Sequence, residues 1–280
     1  MRRFGDRRDG KLIRDIDGMH YFMPLIYPNR TDCEAYVSMN IELDNVEKFI
    51  KEYNADKDEN NRLSLFGVIL AASFKLLHKR EKLNRFYANS NMYLRNYINA
   101  SFVVKKSMED DGEETFAQIF AEKDDNLFSI QNKLNEQIRK CKNENDQTTD
   151  AMEIIKKVPG KKLIGALIRW LDKHGWLPDA LVGTDPTRSS IFFTNLGSIG
   201  MDIGYHHLAN WGTNSIFIEA GAKSYRNIVD KKGDTITKKV IRLSFTIDER
   251  IADGYYYVKS LKLLKKYIEN PELLIDTFES

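Results

Sequence analysis

Asp248-Glu249-Arg250 and Asp253-Gly254 lie within the stretch Ser244–Tyr257, SFTIDERIADGYYY. An alternating apolar run leads into these charged residues and a helical pattern leaves them. A strand end of this kind holds reactive side chains rigidly. Proton transfer and ion pairing are the chemistries open to the group. The second candidate is His206-His207, in GYHHLANWG. The remaining histidines, His20, His78 and His174, have no motif around them. There is no His-x-x-His or Cys-x-x-Cys spacing and no GxxxxGK[ST] loop, so no metal or nucleotide-phosphate site is expected.

The elements that must position these residues follow from periodicity. Residues 1–34 read as mostly irregular. Ala35–Leu43 alternates as a strand, and Asp44 then caps a helix with Val46, Phe49 and Ile50 on one face. Ser64 opens SLFGVILAASFKLLHKR, apolar over most of its circumference and therefore central. Arg85–Ala88 and Met92–Arg95 flank a hairpin turn at Asn89-Ser90-Asn91. Strands are expected at Tyr97–Lys105, Thr115–Glu122, Ser190–Thr194, Thr213–Ala220, Ala222–Val229 and Thr235–Ile247. Helices are expected at Asn126–Lys142, Ala151–Val158 and Tyr255–Glu269, the last stopping before Pro271. Lys161–Leu177 (KKLIGALIRWLDKHGWL) reads as an amphipathic helix packed on the domain; a lid over an acyl pocket and contact with a membrane surface are its other readings. Strands and helices mix without strict alternation. An α/β (α+β) fold follows, a single domain whose mixed sheet is covered by helices.

Composition narrows the function classes. Lys+Arg 43 against Asp+Glu 41 leaves a net charge of +2, which implies no nucleic-acid partner. The basic start is followed by acids rather than an apolar run, so it does not read as a signal peptide. No stretch of ~18 uncharged apolar residues is present, so no transmembrane segment is expected. Cys33 and Cys141 lie far apart and read as reduced thiols of a cytoplasmic protein.

Four stretches resemble, in order, the chloramphenicol acetyltransferase and dihydrolipoyl acyltransferase families. Ser64–Arg80 with Lys82-Leu83-Asn84 is similar to their central helix and its Pro-x-Leu-Asn exit. Phe192–Ser198 (FFTNLGS) is similar to Phe-x-Ile-Ser-Asn-Leu-Gly, and Thr246–Gly254 to Asp-His-Arg-x-x-Asp-Gly. Glu269-Asn270-Pro271 is similar to the family's terminal Glu-Asn-Pro. The resemblance implies a homotrimer with active sites between subunits, acyl-CoA as substrate and no metal. It implies transfer of a short acyl group to a small thiol, hydroxyl or amine acceptor. Lipoyl-bearing and subunit-binding domains are not expected in this chain.

In the family a histidine takes the acceptor's proton and a Ser or Thr hydroxyl steadies the tetrahedral oxyanion. The resemblance puts Thr194 at that hydroxyl and Glu249 at the histidine. Asp253 stands where the family aspartate makes a structural ion pair; Arg14 is the expected partner by position and Arg250 the local alternative. A carboxylate near pKa ~4.3 faces a thiol near ~8.5, a gap of about 6 kcal/mol, where a histidine faces about 2 pKa units. Burial can raise a glutamate to ~8–9. Three readings stay open: Glu249 as a base tuned by burial, Glu249 as a salt-bridged residue in a catalytically silent trimer that binds acyl-CoA or a protein, and a base relocated to His206 or His207.

Overall fold

Ser64 starts the helix around which the core forms, its hydroxyl accepting the Gly67 N–H at 3.0 Å. That helix, α3 (Leu65–Lys79), is buried continuously from Gly67 to Leu77. The structure is a computed structural model and describes residues 3–105, 109, 112, 114–143, 160–178, 182–183, 185–229 and 232–279.

The main sheet has six strands in the order β2 (Glu34–Glu42), β9 (Thr235–Asp248), β8 (Ile216–Val229), β7 (Ile191–Asn195), β5 (Ile98–Lys105), β6 (Glu114–Ala121). β5, β7 and β8 run parallel, and the other pairings are antiparallel. The fold class is thus the expected mixed α/β arrangement. α3, α4 (Leu127–Asn143) and the C-terminal α6 (Gly254–Glu269) share the core with one face of this sheet. Along β9 that face carries Ile241, Leu243, Phe245 and Ile247, while Ser244, Thr246 and Asp248 are buried on the other. Period-two alternation therefore gives an apolar face for packing and a polar face for chemistry. The helix α2 (Asp44–Tyr53) follows β2 as expected.

Four expectations differ from the structure. Residues 18–26 form a helix, α1, although Pro24 lies inside it. Asp17 caps it by accepting from Met19 and His20 N–H, and the His20 carbonyl that Pro24 leaves without its helical donor accepts from Tyr87 Oη at 2.6 Å. Gly10–Leu12 forms β1, which joins the hairpin of β3 (Arg85–Ala88) and β4 (Asn91–Arg95) in a second, three-stranded sheet. The two strands expected at 213–220 and 222–229 are one bulged strand, β8. Gly221 permits this: a Cβ there would lie 1.6 Å from the Asp202 carbonyl, so only glycine admits the crossing loop. The helix α5 (Lys161–Lys173) exists, but its apolar residues divide: Ile164, Ile168 and Leu171 are half-buried, while Leu163, Leu167 and Trp170 are exposed. The helix expected at Ala151–Val158 falls outside the described residues.

α5 is held by its one acid. Asp172 accepts from Arg7 at 2.9 Å and from Arg188 at 2.7 Å, and both guanidiniums also bind buried Asp9. Arg188 is fully buried and takes Asp185 as a third carboxylate at 3.2 Å. Burial works against the charge on Asp9, but the surrounding Arg7, Arg188 and Arg95 outweigh it and hold its carboxyl below the usual range. No helix among the described residues is long and apolar enough to cross a membrane.

Candidate active site

β9 ends by burying an ion pair. Asp248 is fully enclosed and accepts from Arg250 Nε at 2.9 Å and Arg250 Nη2 at 2.8 Å, a bidentate pair across one intervening residue. Arg30 Nε stands 3.7 Å from the same carboxylate, and the Cys33 thiol donates to it at 3.3 Å. The Tyr257 hydroxyl, from the first turn of α6, donates to the Asp248 carbonyl at 2.8 Å. Burial alone would lower the pKa of Arg250, but its bonds to Asp248 outweigh that and raise it. Burial, with the Asp248 carboxylate adding to it, pushes the Cys33 thiol far up, so Cys33 stays protonated and is no nucleophile.

Glu249 sits between these two fixed residues. Its N–H donates to the Cys33 carbonyl at 3.0 Å, while its side chain is exposed and makes no hydrogen bond or ion pair among the described residues. The guanidinium beside it is committed to Asp248. Asp253 does not form the expected pair with Arg14, nor with Arg250. It caps α6, accepting the Tyr256 N–H at 2.8 Å, and that bond holds its carboxyl below the ordinary value. Arg14 is drawn instead to Asp6 at 3.1 Å and to the Phe4 carbonyl at 2.8 Å. The reason is local: an exposed N-cap gains its bonds from the helix's own free N–H groups. The buried ion pair of this turn belongs to Asp248, which spacing alone did not single out.

Thr194 lies at the far end of the strands. It is half-buried on the face opposite the helices, in register with Glu219 of β8, which in turn pairs with Ser244 of β9. Glu249 is five residues beyond Ser244, or about 16 Å along the strand. Within one chain Thr194 and Glu249 do not meet.

The loop after β7 brings the histidines across. Glu219, itself 1 % exposed, accepts the N–H groups of Gly204 (2.9 Å) and His206 (2.5 Å) and so fixes the loop's path. The His206 ring stacks on Phe217 at 4.9 Å, Phe217 on Phe192 at 5.0 Å, and Phe192 meets Phe116 edge-on at 6.1 Å. His207 Nδ1 lies 2.9 Å from Glu34 Oε2; the imidazole is exposed and the carboxylate buried. Glu34 is the β2 residue paired with Asp248, so His207 is carried to the same sheet end as Glu249. Glu219 and Glu34 were not identified from sequence, although a lone carboxylate in the apolar strand IFIEA was the available signal for Glu219.

A cleft of about 340 Å³ opens beside this turn, lined by Arg30, Tyr87, Arg169, Trp211 and Arg250 among others. Among the described residues no group of three or more His, Cys, Asp or Glu could hold a metal.

Comparison with known proteins bears on the same region. The sequence pattern of the 2-oxoacid dehydrogenases acyltransferase (catalytic domain) family matches residues 179–275. Among curated proteins no sequence matches significantly. A solved structure of a probable dihydrolipoamide acetyltransferase from Listeria monocytogenes superposes with a TM-score of 0.60 at 16% identity, covering 93% of this chain and 95% of that one. The cubic core of a pyruvate dehydrogenase multienzyme complex gives 0.61 at 14% identity, covering 94% of each chain. A chloramphenicol acetyltransferase gives 0.52 at 12% identity, covering 95% of this chain and 99% of that one. At such identities the likeness is one of fold. Residues 179–275 are thus similar in sequence to the acyltransferase catalytic domain of the 2-oxoacid dehydrogenases, and the described chain is similar in fold to dihydrolipoamide and chloramphenicol acetyltransferases.

Proposed function

We propose that the protein moves a short acyl group from coenzyme A to a small thiol, hydroxyl or amine, at a site completed between two copies of the chain in a homotrimer. The observation that carries this is the separation of Thr194 on β7 from Glu249 beyond the end of β9, five residues apart in register. Neither residue can serve the other's reacting centre within a chain, since proton transfer needs contact within ~3 Å. A second copy supplies the missing half. The exposed apolar side chains around the histidine loop, Tyr36, Ile199, Met201 and Tyr205, give such a contact a surface.

In this reading the rigid Asp248–Arg250 pair aims Glu249 at the acceptor's proton. Covering by the neighbouring copy dries the carboxylate and strengthens it as a base. The Thr194 hydroxyl donates to the oxyanion as the acceptor attacks the thioester carbonyl, and the thiolate of coenzyme A departs. One observation favours a second assignment of the base: His207 is hydrogen-bonded to buried Glu34, and a carboxylate-oriented imidazole is well matched to a thiol or hydroxyl.

Turnover of an acyl-CoA panel, read as release of free thiol, separates the assignments. Glu249→Gln is expected to cut turnover ~10²–10⁴-fold with coenzyme A binding retained. Equal rates for wild type and Glu249→Gln, with loss in His207→Asn, would transfer the role to His207. Binding without turnover in any form, with activity gained in Glu249→His, would mean a silent relative.

A further inference from the structure

We infer that α5, bordered by α1, forms a docking face for an anionic lipid bilayer on the rim of the cleft beside Glu249. The inference starts from packing. No described side chain of α5 is buried. Leu163 (79 % exposed), Leu167 (54 %) and Trp170 (49 %) recur at the spacing of one helical stripe, and Trp176 continues it at 59 %. The rings of Trp170, His174 and Trp176 touch one another at 4.6–5.3 Å, forming an aromatic knuckle at the helix end.

Charge selects the occupant. The exposed charged side chains described on α5 are Lys162, Arg169 and Lys173, all cationic. Its one acid, Asp172, is turned inward onto Arg7 and Arg188. The helix therefore offers apolar side chains flanked by cations, with its carboxylate neutralised on the protein side. A helix with that distribution and with tryptophans at its edge suits the headgroup boundary of an anionic membrane.

α1 extends the face. Met19, Tyr21, Phe22, Leu25 and Ile26 are each more than half exposed, and Pro24 is its one buried residue. Pro24 of α1 and Arg169, Asp172 and Lys173 of α5 line one cleft, so the two apolar ridges border a common groove. Together they exceed the scattered apolar exposure that a surface carries without a purpose.

The test uses the full chain with vesicles of phosphatidylcholine alone or containing about 30% phosphatidylglycerol, read by co-sedimentation and tryptophan emission. The anionic vesicles should pellet the protein and shift its emission to the blue; neutral vesicles should retain far less. Leu167→Ser with Trp170→Ser should lower partitioning at least tenfold. Lys162→Glu with Arg169→Glu should lower it by about fivefold or more for each cation lost. Quenching of wild-type emission by brominated lipid should place tryptophan at the boundary, and this arm needs no variant to fold. Failure to sediment with anionic vesicles, or equal partitioning of wild type and the apolar double variant, would overturn the inference. A change of oligomer mass in that variant, without lipid binding in wild type, would assign the face to a second copy instead.

Discussion

Glu249 and Asp248 are neighbours with opposite environments, and that contrast governs what each substitution should do. Asp248 is enclosed and bound by Arg250, Arg30 and Cys33. Removing its charge leaves two buried guanidiniums without their shared carboxylate, so Asp248→Asn should cost about 3–5 kcal/mol. Glu249 has no side-chain partner to lose among the described residues, and Glu249→Gln should stay within about 0.5 kcal/mol of wild type. Denaturant melts of both variants, at concentrations where the chain is monomeric, give the comparison. A large loss in Glu249→Gln would mean the glutamate is structural after all. The sequence placed the charged turn correctly, yet it assigned the ion pair to Asp253 and Arg14. Both residues have nearer partners: the N–H groups of α6 for Asp253 and Asp6 for Arg14.

At the scale of elements, α5 is anchored by ion pairs at its C-terminal turn. Asp172 reaches Arg7 and Arg188, both of which also bind Asp9 beside β1. Unfolded, Asp9 titrates near ~3.9; folded, its pKa is lower because the guanidiniums favour the ionised form. A depressed folded pKa gives stability that is complete above the unfolded value and is lost as pH falls through the folded one. Asp9→Asn should therefore be least stable relative to wild type near neutrality, with the gap closing below about pH 4. Thermal melts across pH 2–7, about one per pH unit, test this; a pH-independent gap would contradict the assignment. The outer stripe of the helix behaves differently. Leu167 is half exposed, so Leu167→Asp should leave the melting temperature nearly unchanged, within about 0.5 kcal/mol of stability. Amphipathic spacing predicted inward packing because periodicity reports that a face exists, and not what covers it.

For the whole molecule, a site divided between copies has a distinctive consequence. Thr194→Ala and Glu249→Gln should each be inactive alone. Mixed after dissociation and reassembly, they should recover about a quarter of wild-type turnover, since random assembly pairs an intact Thr194 with an intact Glu249 that often. No recovery would mean that both residues serve one chain's site or that neither serves catalysis. Sedimentation equilibrium should give the mass of three chains; a stable monomer at micromolar concentration would count against the divided site.

The sequence by itself determined the central helix, the mixed sheet and the strand-turn-helix that ends in Asp253-Gly254. Each rests on local signals: the Ser64 cap, period-two alternation, and a helix stopped by proline. The resemblance in Phe192–Ser198 and Thr246–Gly254 was legible for the same reason, because it is carried by contiguous residues, and both stretches lie in the segment that matches the acyltransferase family pattern. The tertiary structure decided what depends on distant residues meeting. The carbonyl that Pro24 frees is satisfied by Tyr87, so a helix forms where proline suggested a break. Glu219 steers the histidine loop from the middle of the sheet, and Glu34 receives His207 across a sequence separation of 173 residues. Register offset Thr194 from Glu249 by five residues along the strands, because β9 runs antiparallel to β8 while β7 runs parallel to it. Strand direction is set by how elements pair in space, and no local pattern of side chains encodes it.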